Sequence, residues 1–138
     1  MPKAAIKITS FAASLLLSAI TLATFFVLRN YGPENAIERF HDAAVNGDVV
    51  EIARVTSQTP DSLSVRELVT EVYNLRRAGA SPDVEDVKRS PNQVVVWIAY
   101  RIPGELREVD IRWVVKLGPA SNWLIDAQET LSSSQWSP

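Results

Sequence analysis

The 138-residue chain contains no cysteine and only one histidine, His41. Without cysteine there is no disulfide, no thiol nucleophile, no thiolate metal site and no acylated cysteine to anchor a lipoprotein. One histidine, and no acidic cluster beyond "DVED" at 83–86, gives no metal-ligand set, so neither a metal nor a cofactor is expected. Phosphate-binding loops and nucleophile elbows are missing too, because "NGD" and "PGE" are turns. A basic excess is also lacking. From Asn30 onward, 11 basic residues face 16 acidic ones, a balance of −5, which argues against nucleic acid or an anionic lipid surface as partner.

Charge is absent from one long stretch. Between Lys7 and Arg29 runs "ITSFAASLLLSAITLATFFVL", 21 uncharged residues. At about 1.5 Å per residue, such a helix would span a hydrocarbon core of roughly 30 Å. The stretch is too long for the apolar region of a signal peptide, and "TFFVL" continues past the small-residue pair Thr21 and Ala23. The expectation is an uncleaved single-pass membrane anchor at 8–29. Lys3 and Lys7 would keep the tail, residues 1–7, in the cytoplasm. The head at 30–130 would then be periplasmic or lumenal, beyond an inner or thylakoid membrane, and 131–138 would be a flexible tail.

After the anchor, Gly32 and Pro33 break the apolar pattern, and proline suits a first helical turn because its missing N–H needs no partner there. Ile37, Phe40, His41 and Ala44 follow at i, i+3, i+4 and i+7, and Gly47 closes this helix. Asp48 with Glu51 has N-terminal capping spacing ahead of Val49, Ile52 and Val55. Ser64 with Glu67 reads as a capping box, Leu63 with Leu68 as a hydrophobic staple, and Val65, Leu68, Val69, Val72 and Leu75 as a buried stripe. From Pro82 the period changes from 3.6 to 2. "DVEDVKR", "NQVVVWIAYRI", "LREVDIRWVVKL" and "NWLIDAQ" read as four strands joined by hairpin-like turns. The expected fold is α+β: an N-terminal transmembrane helix, then about three helices packed on a curved antiparallel sheet of about four strands.

The segment "GPENAIERFHDAAVNGDVVEIARVTS" resembles the opening helix, turn and second helix of the nuclear transport factor 2-like, or cystatin-like, α+β roll. "VVVWIAYR…VDIRWVVKLGPASNWLIDAQE" is similar to that superfamily's last three strands. The missing strand between second and third helices makes the chain look more like the short, membrane-tethered bacterial branch, which includes the periplasmic domain of type IV secretion assembly factors. Members range from isomerases and dehydratases to binders and scaffolds, so the resemblance implies a fold and leaves function to the site.

An isomerase on this fold needs a carboxylate base and a hydrogen-bond donor inside an apolar cone. The inward strand positions Val94, Val96, Ile98, Tyr100, Val109, Ile111, Trp113, Val115, Trp123 and Ile125 include no acid. The opposite assignment of the middle strand, with Val95, Trp97, Ala99 and Arg101 inside, supplies none either. Asp110 and Asp126 read as cross-strand partners of Arg101, Arg112 or Lys116. His41, with Tyr73 and Tyr100 as conceivable neighbours, is the remaining candidate for orienting a ligand, against the plainer reading of a hydrogen-bonded core histidine. Val95, Trp97, Val114 and Trp136 form a candidate apolar patch for a protein partner or a second copy, unless a curled sheet or the C-terminal tail covers it. The expected function is a non-catalytic binding or assembly subunit of a membrane-associated complex. The alternatives are a tethered carrier or sensor of a small apolar ligand and, last, an isomerase or hydrolase.

Overall fold

The computed structural model describes residues 10–22 and 32–134, and the chain falls into two units, Met1–Gly32 and Pro33–Pro138. In the first unit, helix α1 is described over residues 10–22. It exposes Phe11, Leu15, Leu16, Leu17, Ile20 and Leu22, and the Thr21 hydroxyl donates to the Leu17 carbonyl at 2.8 Å. Among the described residues no helix is long and apolar enough to cross a membrane. Thirteen helical residues reach about 20 Å, short of a hydrocarbon core of roughly 30 Å. This corrects the expected transmembrane anchor at 8–29, and with it the single-pass class and the inner or thylakoid membrane location. The proposed cytoplasmic tail, 1–7, lies outside the described residues, as do 23–31.

The second unit opens with three helices: α2 (Pro33–Asn46), α3 (Val49–Val55) and α4 (Leu63–Arg77). α2 begins at Pro33 and stops at Gly47, whose φ of +66° reverses the chain into a tight hairpin. Asp48 then caps α3 by accepting from the Glu51 N–H at 3.2 Å. Arg39 of α2 pairs with Glu51 of α3 and ties the hairpin across its outer side.

α4 starts one turn-half earlier than the capping-box spacing predicts. Ser62, not Ser64, is the N-cap, its hydroxyl accepting from the Val65 N–H at 3.4 Å. With Ser62 and Ser64 both able to cap, the earlier one wins by adding two residues of helix. Leu63 consequently points to solvent instead of stapling Leu68. Val65, Leu68, Val72 and Leu75 are buried, and Val69 is half-buried against them.

The sheet is an antiparallel meander, β1-β2-β3-β4, of β1 (Ser81–Arg89), β2 (Gln93–Arg101), β3 (Glu108–Leu117) and β4 (Trp123–Ile125). Its register places Val94 opposite Val115, Val96 opposite Trp113, Ile98 opposite Ile111 and Tyr100 opposite Val109. This row faces the helices, where Phe40, Leu68, Val55 and Ile37 close the core. Phe40 meets Trp113 edge to face at 5.6 Å, a favourable ring geometry. A bulge between Val84 and Asp86 leaves Glu85 without a cross-strand partner.

The end of the chain departs furthest from expectation. β4 has only three residues, and Ala127–Ser133 form a fifth helix, α5, where a longer strand and a frayed tail were anticipated. Asp126 caps α5 by accepting from the Glu129 N–H at 3.0 Å. α5 then seals the edge of β3 that β4 is too short to pair. The Thr130 hydroxyl accepts from the Val114 N–H at 3.0 Å and the Ser134 hydroxyl from the Arg112 N–H at 3.1 Å. The Gln58 side chain ties the opposite side of this junction, donating to Asp126 at 2.8 Å and accepting from the Ala127 N–H at 2.9 Å.

Candidate functional site

His41 lies on the buried face of α2, against β2 and β3. Its Nε2 is 2.6 Å from the Tyr100 hydroxyl, which also accepts from the Trp113 indole N–H at 3.0 Å. The other ring nitrogen bonds to the Ile37 carbonyl one turn back. These bonds assign every proton: the indole gives to the Tyr100 oxygen, Tyr100 gives to Nε2, and the second imidazole nitrogen gives to the helix backbone. Burial, and next the nearby Arg76 guanidinium, hold the imidazole neutral, its pKa lowered from 6.5 to about 4; the Ile37 bond and Asp42 oppose this more weakly. Burial likewise pushes the Tyr100 hydroxyl above its ordinary value. A base must present a free lone pair to a substrate, and here the lone pair is taken by Tyr100. Tyr73, which the sequence suggested as a third member, is 40% exposed on α4 and does not join the network.

The clefts of the surface are lined by other residues. One pair lies along α4 and α5, between Leu63, Glu67 and Leu131, and another lies between α3 and α4 at Val49, Ile52, Pro60 and Val69. A smaller and more enclosed one, about 190 Å³, opens on the outer face of the sheet between Glu85, Trp97, Asp110, Arg112 and Ser133.

This outer face is the row that the sequence put forward as a docking patch. Val95 (6% exposed) and Val114 (1%) are buried rather than presented to solvent, and Ala99 is buried with them. Trp97 is half-buried, and Trp136 lies outside the described residues. Instead of a broad apolar patch, there is one aromatic ring set among charges. Lys88 sits 5.2 Å and Arg112 5.5 Å from the Trp97 ring centre, within cation–π range. Arg101 bonds Glu108 at 2.9 Å and approaches Asp83 at 3.7 Å.

Glu85, Glu108 and Asp110 each bring a carboxylate oxygen to within 4.8 Å of the others. Asp110 is partly exposed, but its Oδ1 is buried and makes no hydrogen bond among the described residues. Of the two acids expected to find cross-strand partners, Asp126 does so, with Lys116 at 3.0 Å. Asp110 makes no ion pair among the described residues. Sequence reasoning missed Glu85, Asp110, Arg112 and Ser133 as neighbours of Trp97. Alternation placed Asp110 and Arg112 on the polar face, but only the hairpin register, the bulge and α5 bring the four together.

No family model matches the chain, and a search of curated proteins finds none similar to it.

Proposed function

We propose that the domain from Pro33 to Ser134 is a non-catalytic binding module for a protein partner, engaged through the outer face of its sheet around Trp97. The observation that carries this reading is the division of polar groups between the two faces. Inside, His41, Tyr100 and Trp113 satisfy one another and leave no lone pair or donor for a substrate. Outside, a half-buried tryptophan borders a carboxylate oxygen that is buried and unpaired among the described residues. Unsatisfied polar atoms next to an aromatic anchor are what an interface completes on binding. The helix-then-meander order supports kinship with the nuclear transport factor 2-like roll, a fold used by enzymes and by scaffolds alike.

A small apolar ligand held between helices and sheet is less well supported. Phe40, Leu68, Trp113 and Ile125 fill that layer, and the clefts open elsewhere. Site-specific photo-cross-linking in cells tests the reading. A photoreactive residue in place of Trp97 should give a discrete adduct, while one in place of Val50, exposed on α3, should not. Monomer alone at position 97, or equal adducts from both positions, would remove the proposal.

A further inference from the structure

We infer that the β2–β3 hairpin tip of one copy, Glu105, Leu106 and Arg107, docks in the groove between α4 and α5 of a second copy, head to tail. The tip is built to protrude. Gly104, at φ +80°, turns the chain, the Glu105 N–H donates to the Ile102 carbonyl at 3.1 Å, and Leu106 stands fully exposed. A lone exposed leucine is ordinary. This one sits between an acid and a base, neither of which makes an ion pair among the described residues.

The groove carries the matching set. The larger of two clefts that share Leu63, Glu67 and Leu131 has a volume of about 550 Å³, and Arg66 and Glu71 line it as well. Because Ser62 caps α4, Glu67 is released from the capping role and Leu63 is left 70% exposed on the groove wall. Glu67 and Glu71 lie one turn apart on one face, where like charges repel. Neither they nor Arg66 forms an ion pair among the described residues. In the docked pair, Arg107 meets Glu67 and Glu71, Glu105 meets Arg66, and Leu106 packs on Leu63 and Leu131. Each charge that one element leaves unpaired is answered on the other.

A tip cannot fill the groove of its own chain. It stands at the far end of α4, where Pro103 lies against Gly79, and Leu63 is roughly 20 Å away along the helix. The contact is therefore heterologous, and repetition joins copies in an open row or a ring. One hairpin tip covers far less than the roughly 1,600 Å² of a standard stable interface, so association is weak, with a dissociation constant on the order of 100 μM.

Intermolecular paramagnetic relaxation reads the contact directly. The chain has no cysteine, so Ser132→Cys on the groove rim takes a single nitroxide, and this copy is mixed with an isotope-labelled parent copy. Amide signals of residues 105–107 should broaden most, while a nitroxide at Val50→Cys, exposed on α3, should leave them sharp. Arg107→Glu in the isotope-labelled copy should cut the broadening several-fold, and Glu67→Arg with Glu71→Arg in the nitroxide copy should restore it. Leu106→Asp should remove it. Strongest broadening along residues 63–71, the sign of a two-fold contact, would overturn the inference. Equal broadening from both nitroxides, indifference to Arg107→Glu, or no restoration by the reversed charges would do the same. None of these results bears on adduct formation at position 97, which reads the proposed partner face separately.

Discussion

Replacing Tyr100 with phenylalanine removes one oxygen that serves two buried partners. The imidazole Nε2 of His41, 2.6 Å away, loses its donor, and the Trp113 indole N–H, at 3.0 Å, loses its acceptor. Each orphaned group costs about 1–3 kcal/mol, so Tyr100→Phe should destabilise by about 2–5 kcal/mol although it deletes only a hydroxyl. His41→Leu in the Tyr100→Phe background should cost far less than in the parent, because its partner is already gone; a coupling of about 1–2 kcal/mol is expected from the double-mutant cycle. The same network sets a pH signature. The folded pKa of His41 is about 4 against 6.5 unfolded, so the native state prefers the neutral ring. Its contribution is complete above pH 6.5 and declines as pH falls toward 4, where the loss levels at about 3 kcal/mol. Urea unfolding followed by tryptophan fluorescence at pH 7 and pH 5 should show about 2 kcal/mol of this loss, and His41→Leu should abolish it. A flat profile between those two values, or an unaltered slope in His41→Leu, would refute the closed network.

Asp126 should govern a separate acid limb. Burial raises its pKa, but bonds from the Glu129 N–H, Gln58 and Lys116 outweigh this and hold the carboxyl below its ordinary value. Its stabilisation is present above the unfolded value and disappears as pH falls below about 4, so it follows the His41 limb in an acid titration. At pH 7, Asp126→Ala should cost about 1–3 kcal/mol by removing the α5 cap and its side-chain partners, and Asp126→Asn clearly less, measured as a shift in urea midpoint. Gly47→Ala meets no atom within 4 Å, so its cost is backbone strain alone at φ +66°. A loss of about 1–2 kcal/mol should lower the melting temperature by several degrees, with Gly47→Asn between the two. Asp110→Asn should leave stability unchanged or raise it by up to about 1 kcal/mol, since it relieves repulsion with Glu85 and Glu108. A large loss in the thermal scan would mean that Asp110 holds the fold rather than awaiting a partner.

The sequence carried most of the helical hairpin and the sheet. Pro33, Gly47 and Asp48 mark chain reversals that physics enforces locally, and the period-2 rows of β2 and β3 separate core from surface without ambiguity. α5 is legible too, because Asp126 with Glu129 repeats the spacing of Asp48 with Glu51. Within "NWLIDAQ", Ala127 also fits the inward row of an alternating strand, and it is buried from a helix instead. The charge-free stretch after Lys7 shows the limit of reading composition. Apolar length gives the capacity to span a bilayer, while the helix described over 10–22 is shorter than that span. The cleft at Trp97 was not legible at all. It depends on a one-residue bulge at Glu85, on hairpin register and on a helix packed across a strand edge, and none of these is a local property of sequence.

The same features close both edges of the sheet to strand addition. An open edge recruits strands by its unpaired backbone groups. At β1 the edge is nine residues long and exposed, but it carries Pro82, which has no N–H to offer, the bulge at Glu85, and Asp83, Asp86, Lys88 and Arg89. At the other side β4 is three residues long, and the hydroxyls of Thr130 and Ser134 already occupy the N–H groups of Val114 and Arg112 that a new strand would need. Both routes to strand addition are therefore blocked by different chemistry: charge and proline on one edge, side-chain capping on the other. The inner face is spent on the helices. The outer face between them keeps an aromatic ring and a carboxylate oxygen that makes no hydrogen bond among the described residues. A fold that closes its edges and fills its interior, yet leaves Asp110 Oδ1 without a hydrogen bond among the described residues, keeps unspent polar capacity beside Trp97 on its outer face.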